Sequence, residues 1–102
     1  MEMTQEELKG IIESHELWMM GVEEGVRADL RHEDLRCADL RGVDLERVFL
    51  NEADLRCADL RGACLPTDLK GTDLRKAALG RIFARLYVSI NGVRESLQTN
   101  YL

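Results

Sequence analysis

Apolar residues in this chain follow two different periods. From Ala28 to Leu79 leucine recurs every fifth residue, at 30, 35, 40, 45, 50, 55, 60 and 65; after Pro66 the frame slips by one, and leucine resumes at 69, 74 and 79. Small or β-branched residues stand two before every leucine but Leu35, at Ala28, Ala38, Val43, Val48, Ala53, Ala58, Ala63, Thr67, Thr72 and Ala77, and Asp precedes the leucine in eight of the eleven units. A period of five fits neither a helix at 3.6 nor a strand at 2.0. Eleven such units mark a repeat architecture in which each unit buries its apolar residues only by stacking on others. Either side of this stretch the period is helical. Thr4-Gln5-Glu6-Glu7 has capping-box form, and Leu8, Ile11, Ile12, His15, Trp18 and Met19 follow it at helical spacing, which predicts a helix over 5–19. Leu79, Ile82, Phe83, Leu86, Tyr87, Ile90 and Val93 predict a second helix over about 75–90, ending near Asn91-Gly92. The rival there is a hairpin pairing 87–90 with 93–96 on an Asn-Gly turn.

The units Ala28-Asp29-Leu30-Arg31-His32, Glu33-Asp34-Leu35-Arg36-Cys37 and Ala38-Asp39-Leu40-Arg41-Gly42 resemble the pentapeptide-repeat family, whose consensus is Ala-(Asp/Asn)-Leu-X-X. The resemblance covers about half the chain. It implies an all-β solenoid: a right-handed quadrilateral β-helix in which four units make one coil. The leucine and the small residue point inward, and the other three positions point outward. The expected organisation is an N-terminal capping helix and connector over 1–25, the β-helix over 26–76, and a C-terminal helical cap or dimerisation segment over 77–102. The first coil exposes backbone and core at its edge, and the N-terminal helix is the natural lid. The alternative for Trp18 and Met19 is an exposed partner site.

Four units per coil place residues in columns about 4.8 Å apart. Asp34, Asp54 and Asp73 form the longest, with Arg36, Arg56 and Arg75 beside it. Asp39 and Asp59 form a second, flanked by Arg41 and Arg61. Asp29, Phe49 and Asp68 share a third face, and Asp44 and Cys64 the fourth. Phe49 replaces Asp at an outward position, where it either packs under a terminal element or meets a partner. Glu33 takes an inward position in the first coil, within reach of the open end or the lid. The residue missing around Leu65-Pro66-Thr67 predicts a corner or bulge, because Pro cannot donate to a ladder.

The net charge of −5 is unevenly spread: −6 over residues 1–26, −1 over 27–80 and +2 over 81–102. An acidic chain without clustered Lys and Arg is a poor direct binder of nucleic acid. At 102 residues it forms one small domain, and at 5% aromatics its core is aliphatic and narrow. No apolar run is long enough to span a membrane, and the acidic N-terminus lacks signal-peptide layout, so the expected location is the cytoplasm, that of a host cell for a phage-encoded protein.

Little here promises chemistry. Cys37 and Cys57 occupy equivalent positions of successive coils, with Cα atoms in disulfide range, yet a reducing cytoplasm favours free thiols. Three cysteines without a C-x-x-C, and only His15 and His32, give no metal site. His15 reads as a packing residue. No nucleophile–base arrangement or phosphate loop occurs, so neither an enzyme nor a cofactor is expected.

The family resemblance includes proteins that imitate duplex DNA to bind gyrase. By that analogy the expected function is a non-enzymatic inhibitor, carried by a phage or mobile element, that presents carboxylates to a host nucleic-acid-binding protein, with an anti-CRISPR protein against a CRISPR effector complex as the concrete version. The candidate partner-binding residues are Asp34, Asp54, Asp73, Asp39 and Asp59 in the columns, and Glu13, Glu16, Glu23 and Glu24 near the lid. The interleaved arginines weigh against mimicry by the columns alone. Alternatives are a gyrase or topoisomerase modulator, and an interaction module without mimicry. Surplus apolar surface on the C-terminal segment offers a homodimer contact.

Overall fold

The computed structural model describes residues 2–80. Its one helix among them, α1 (Gln5–Met19), begins as the sequence predicts. Thr4 Oγ1 accepts the Glu7 N–H, and the Glu7 carboxylate accepts the Thr4 N–H. Both bonds satisfy donors that a helix start leaves free, and the Thr4 N–H and hydroxyl, both donating to the Glu7 carboxylate, hold it below the usual range.

After α1 the chain returns on itself every 20 residues, or 19 across the Pro66 slip. The pairing is parallel, at Asp29–Phe49, Asp34–Asp54, Asp39–Asp59, Asp44–Cys64, Asp54–Asp73 and Asp59–Ala78. These are isolated bridges; among the described residues none lengthens into a strand. A turn follows each leucine from Leu30 to Leu60, and again Leu69 and Leu74, too soon for that. The leucine carbonyl accepts the N–H three residues on, as in Leu30–Glu33, Leu35–Ala38 and Leu55–Ala58. The third residue of the turn has positive φ at His32, Cys37, Gly42, Glu52, Cys57, Gly62, Gly71 and Lys76, the pattern of type II turns. A non-glycine residue there costs on the order of 1 kcal/mol. The ladder offsets it, because the N–H of that same residue donates across the coil, as from Cys37 to Arg56 O at 2.9 Å.

All eleven repeat leucines are buried and form one core with the small residues. Full burial of one leucine contributes about 1.5–3 kcal/mol as an upper bound. The slip is absorbed by an exchange of roles. Thr67, expected inward, is exposed, and Pro66 is buried in its place. Three residues now span what four span elsewhere. Neither ladder bond expected at Asp68 forms among the described residues, so the third column ends at Phe49. Thr72 is a polar residue at an inward position, and its hydroxyl donates to Leu50 O at 2.8 Å.

The repeat also runs further than expected. Arg75 and Lys76 form a turn and Ala78 pairs with Asp59, so the helix expected over 75–90 does not begin at 75. The remainder of that helix, the rival hairpin at 87–96 and the C-terminal homodimer contact lie outside the described residues.

The N-terminal segment covers the first coil. Glu2 bridges Asp34, and Met3 N–H donates to Asp34 O at 3.0 Å. The Gln5 side-chain amide donates to Asp39 O and accepts from Asp39 N–H, replacing a missing strand with one side chain. Leu8 and Ile12 join the core, with Met3 and Ile11 packed against it. Met19, placed on the apolar stripe by its spacing, is instead exposed.

His15 holds the other side of this lid. It is wholly buried, and its Nδ1 accepts the Ala28 N–H at 3.0 Å, while Nε2 has no partner. Burial lowers its pKa, Arg27 lowers it further, and Asp44 and Glu16 act the other way. The folded lid therefore binds fewer protons than the unfolded chain. The stability it contributes is present above the ordinary value near 6.5 and is lost as pH falls from there. Trp18 stacks on His15 at 5.4 Å and is the chain's single tryptophan, so its fluorescence reports the lid. We expect its emission to shift as pH falls below about 6.5, and the shift to disappear in His15→Asn. An identical pH profile in that variant contradicts this account.

Candidate protein interface

The expected columns exist, but their carboxylates are engaged. Every one of the eight repeat Asp residues accepts the backbone N–H two residues on, in each of the turns starting at Asp29, Asp34, Asp39, Asp44, Asp54, Asp59, Asp68 and Asp73. The ladder leaves that N–H without a backbone partner, so Asp is the residue that closes the turn. Where Arg stands two residues on, its guanidinium clasps the same carboxylate through Nε and Nη2. Asp29, Asp34, Asp39, Asp54, Asp59 and Asp73 are all held this way, with Arg31, Arg36, Arg41, Arg56, Arg61 and Arg75. The arginines also reach the next coil: Arg41 Nε lies 3.8 Å from Asp59, and Arg56 Nε 3.7 Å from Asp73. These bonds hold Asp29, Asp34 and Asp39 down to about 2, and lower Asp54, Asp59 and Asp73. Such columns alternate in sign at short range and present no continuous negative face.

Phe49 is explained by its neighbours. The Arg27 guanidinium carbon sits 4.0 Å from the Phe49 ring centre and 5.4 Å from that of Trp18, and Arg31 lies 5.1 Å from Phe49 on the coil. Arg27 Nε also donates to Arg47 O. An aromatic replaces Asp here because this face meets the connector, so Phe49 serves packing.

Carboxylates without such partners gather around α1. Glu13 and Glu16 are exposed, and among the described residues neither is in an ion pair. Both border a groove of about 340 Å³ between α1 and the first coil, whose apolar floor is Leu8, Ile12, Leu40 and Val43. Gln5, Lys9 and Asp39, the last clasped by Arg41, also line its rim. Of the residues singled out from sequence, the groove brings together Glu13, Glu16 and Asp39. Glu23 and Glu24 lie on the exposed turn after α1, Asp59 stands one coil beyond Asp39 on the same face and outside the groove, and Asp34, Asp54 and Asp73 form a column on another face. The groove is not legible in the sequence, because a repeat position such as Val43, only partly buried here, reads as core until the lid's reach over it is known.

A family model, pentapeptide repeats, matches residues 34–66 in eight copies. The chain carries pentapeptide repeats. They imply a β-helix in general and point to a protein-interaction module, in keeping with a coil whose charged positions serve its own turns. No curated protein matches the chain, and no solved structure does. Among the described residues no helix is long and apolar enough to cross a membrane, and no group of three or more His, Cys, Asp or Glu side chains is placed to hold a metal ion.

Proposed function

We propose that this pentapeptide-repeat chain is a non-enzymatic inhibitor. It would take a basic, apolar-bearing segment of a nucleic-acid-binding protein into the groove between α1 and the first coil. In this reading the repeats form a right-handed quadrilateral β-helix that serves as a rigid platform, and the lid supplies recognition. The observation that carries it is the contrast in partners: the column carboxylates are clasped by arginine, whereas Glu13 and Glu16 stand free beside an apolar floor. A lysine- or arginine-rich segment complements that rim, and proteins that bind nucleic acid carry such segments. Occupying the segment would exclude its nucleic acid, which is the anti-CRISPR type of action without imitation of the duplex.

The test compares two sets of variants against a helical peptide of lysine and leucine. Glu13→Gln with Glu16→Gln should weaken binding by up to about 30-fold, since each exposed charge pair contributes about 0.2–1 kcal/mol. The wild-type affinity should fall as ionic strength rises through about 0.15 M, and the double variant should show a shallower fall. Asp34→Asn with Asp54→Asn and Asp73→Asn should lower the melting temperature and leave affinity unchanged. Loss of binding in the column variant alone overturns the proposal.

A further inference from the structure

A second groove, of about 430 Å³, runs along the opposite charge pattern, lined by Arg36, Cys37, Arg56, Cys57, Arg75 and Lys76, with Glu2 at its lid end. Cys37, Cys57 and Lys76 occupy the same turn position in three successive coils, with φ of 62°, 63° and 61°. Equal backbone conformation on neighbouring rungs makes their side chains leave the coil in parallel. The register is fixed by Cys37 N–H donating to Arg56 O at 2.9 Å and Cys57 N–H to Arg75 O at 3.1 Å. Both thiols are free and exposed, on successive rungs of the one groove.

We propose that Cys37 and Cys57 form a two-thiolate site for a soft monovalent cation such as Cu(I). Rungs about 4.8 Å apart hold parallel Cβ atoms wider than the ~3.8 Å a disulfide needs. The same spacing is close to twice a metal–thiolate bond of about 2.3 Å. An ion midway between the sulfurs therefore makes two bonds without moving the backbone. Thiolate sulfur selects Cu(I) among the available ions. The absence of a third or fourth donor group among the described residues works against tetrahedral zinc. Binding exchanges two S–H bonds for two S–Cu bonds and releases two protons, with no change of oxidation state. The product carries one negative charge. Lys76, one rung beyond Cys57, and the flanking Arg36 and Arg56 face that charge, while Glu2 at the far end opposes it.

The test is anaerobic titration of the reduced protein with Cu(I) against a chromogenic Cu(I) chelator. The expected result is one ion per chain, two protons released, and a thiolate-to-metal absorption band in the ultraviolet. Cys57→Ser should lose at least about 100-fold in affinity, and Cys64→Ser, whose thiol lies on another face, should lose nothing. If Cys57→Ser fails to fold, Cys57→Gly tests the same point, since glycine accepts a φ of 63° without strain. Unchanged binding in the folded Cys57 variant overturns the assignment. So does one ion per two chains accompanied by dimers in sedimentation.

Discussion

Leu55→Asp is expected to abolish folding. Leu55 is fully buried in the middle of the coil, and its N–H donates to Asp73 O while its carbonyl accepts from Ala58. Its backbone is thus fixed from both sides, and the new carboxylate cannot swing outward without breaking a ladder bond and a turn. An unpaired buried charge costs several kcal/mol, and the lost leucine adds about 2–3 kcal/mol, against a typical domain stability of about 5–15 kcal/mol. Far-ultraviolet circular dichroism should show no cooperative melt, and the protein should elute with an expanded volume. A cooperative transition near that of the parent would contradict the assignment of the leucines to one core.

Gly25→Ala should detach the lid. The connector after α1 doubles back so that Val26 N–H donates to Ser14 O and Oγ, and this brings Gly25 against the last turn of the helix. A Cβ on Gly25 would lie 2.5 Å from the Leu17 carbonyl carbon and from Trp18 Cα, and closer still to Trp18 N. All three are backbone atoms, so no rotamer change relieves the clash. Overpacking of this kind costs about 1–3 kcal/mol, and here the helix must shift as a body. With it go the His15–Ala28 bond and the burial of Leu8 and Ile12. The variant should expose Trp18, melt earlier and, with its first coil uncovered, associate end to end at high concentration. Gly10→Ala is the control: a Cβ at Gly10 meets nothing within 4 Å, and alanine there should stabilise the helix slightly. Equal melting of Gly25→Ala and the parent would show that the connector does not pack as described.

Most of the fold is legible in the repeat period. Spacing alone places the leucines inside, and with the family's four units per coil it also places Asp34 beside Asp54 and Asp73. It does so because a stacked repeat turns sequence distance into spatial order with few long-range decisions. Three features escape it for physical reasons. The exchange of Pro66 for Thr67 depends on how a shortened coil distributes strain, which a consensus does not encode. The contact of Gly25 with Trp18 is tertiary, and glycine in a connector otherwise reads as a simple turn. The Asp residues read in the sequence either as charge that satisfies turns and neighbouring arginines or as outward charge available to a partner, and spacing alone does not decide between them. The recurring Asp-Leu-Arg triplet is the available signal that they are spent within the turn, since a side chain two residues before an N–H can close on it. The lid, by contrast, is legible through its capping box, yet which glutamates border the groove depends on the direction in which α1 crosses the coil.

The most direct test of the central claim is amide chemical-shift mapping of the intact protein with the lysine–leucine peptide. The account predicts shifts centred on Leu8, Ile12, Glu13, Glu16, Leu40 and Val43 that fade as salt is added. Shifts that instead follow Asp34, Asp54 and Asp73 up the coil, with α1 unmoved, would contradict it and return the columns to the role of a phosphate mimic.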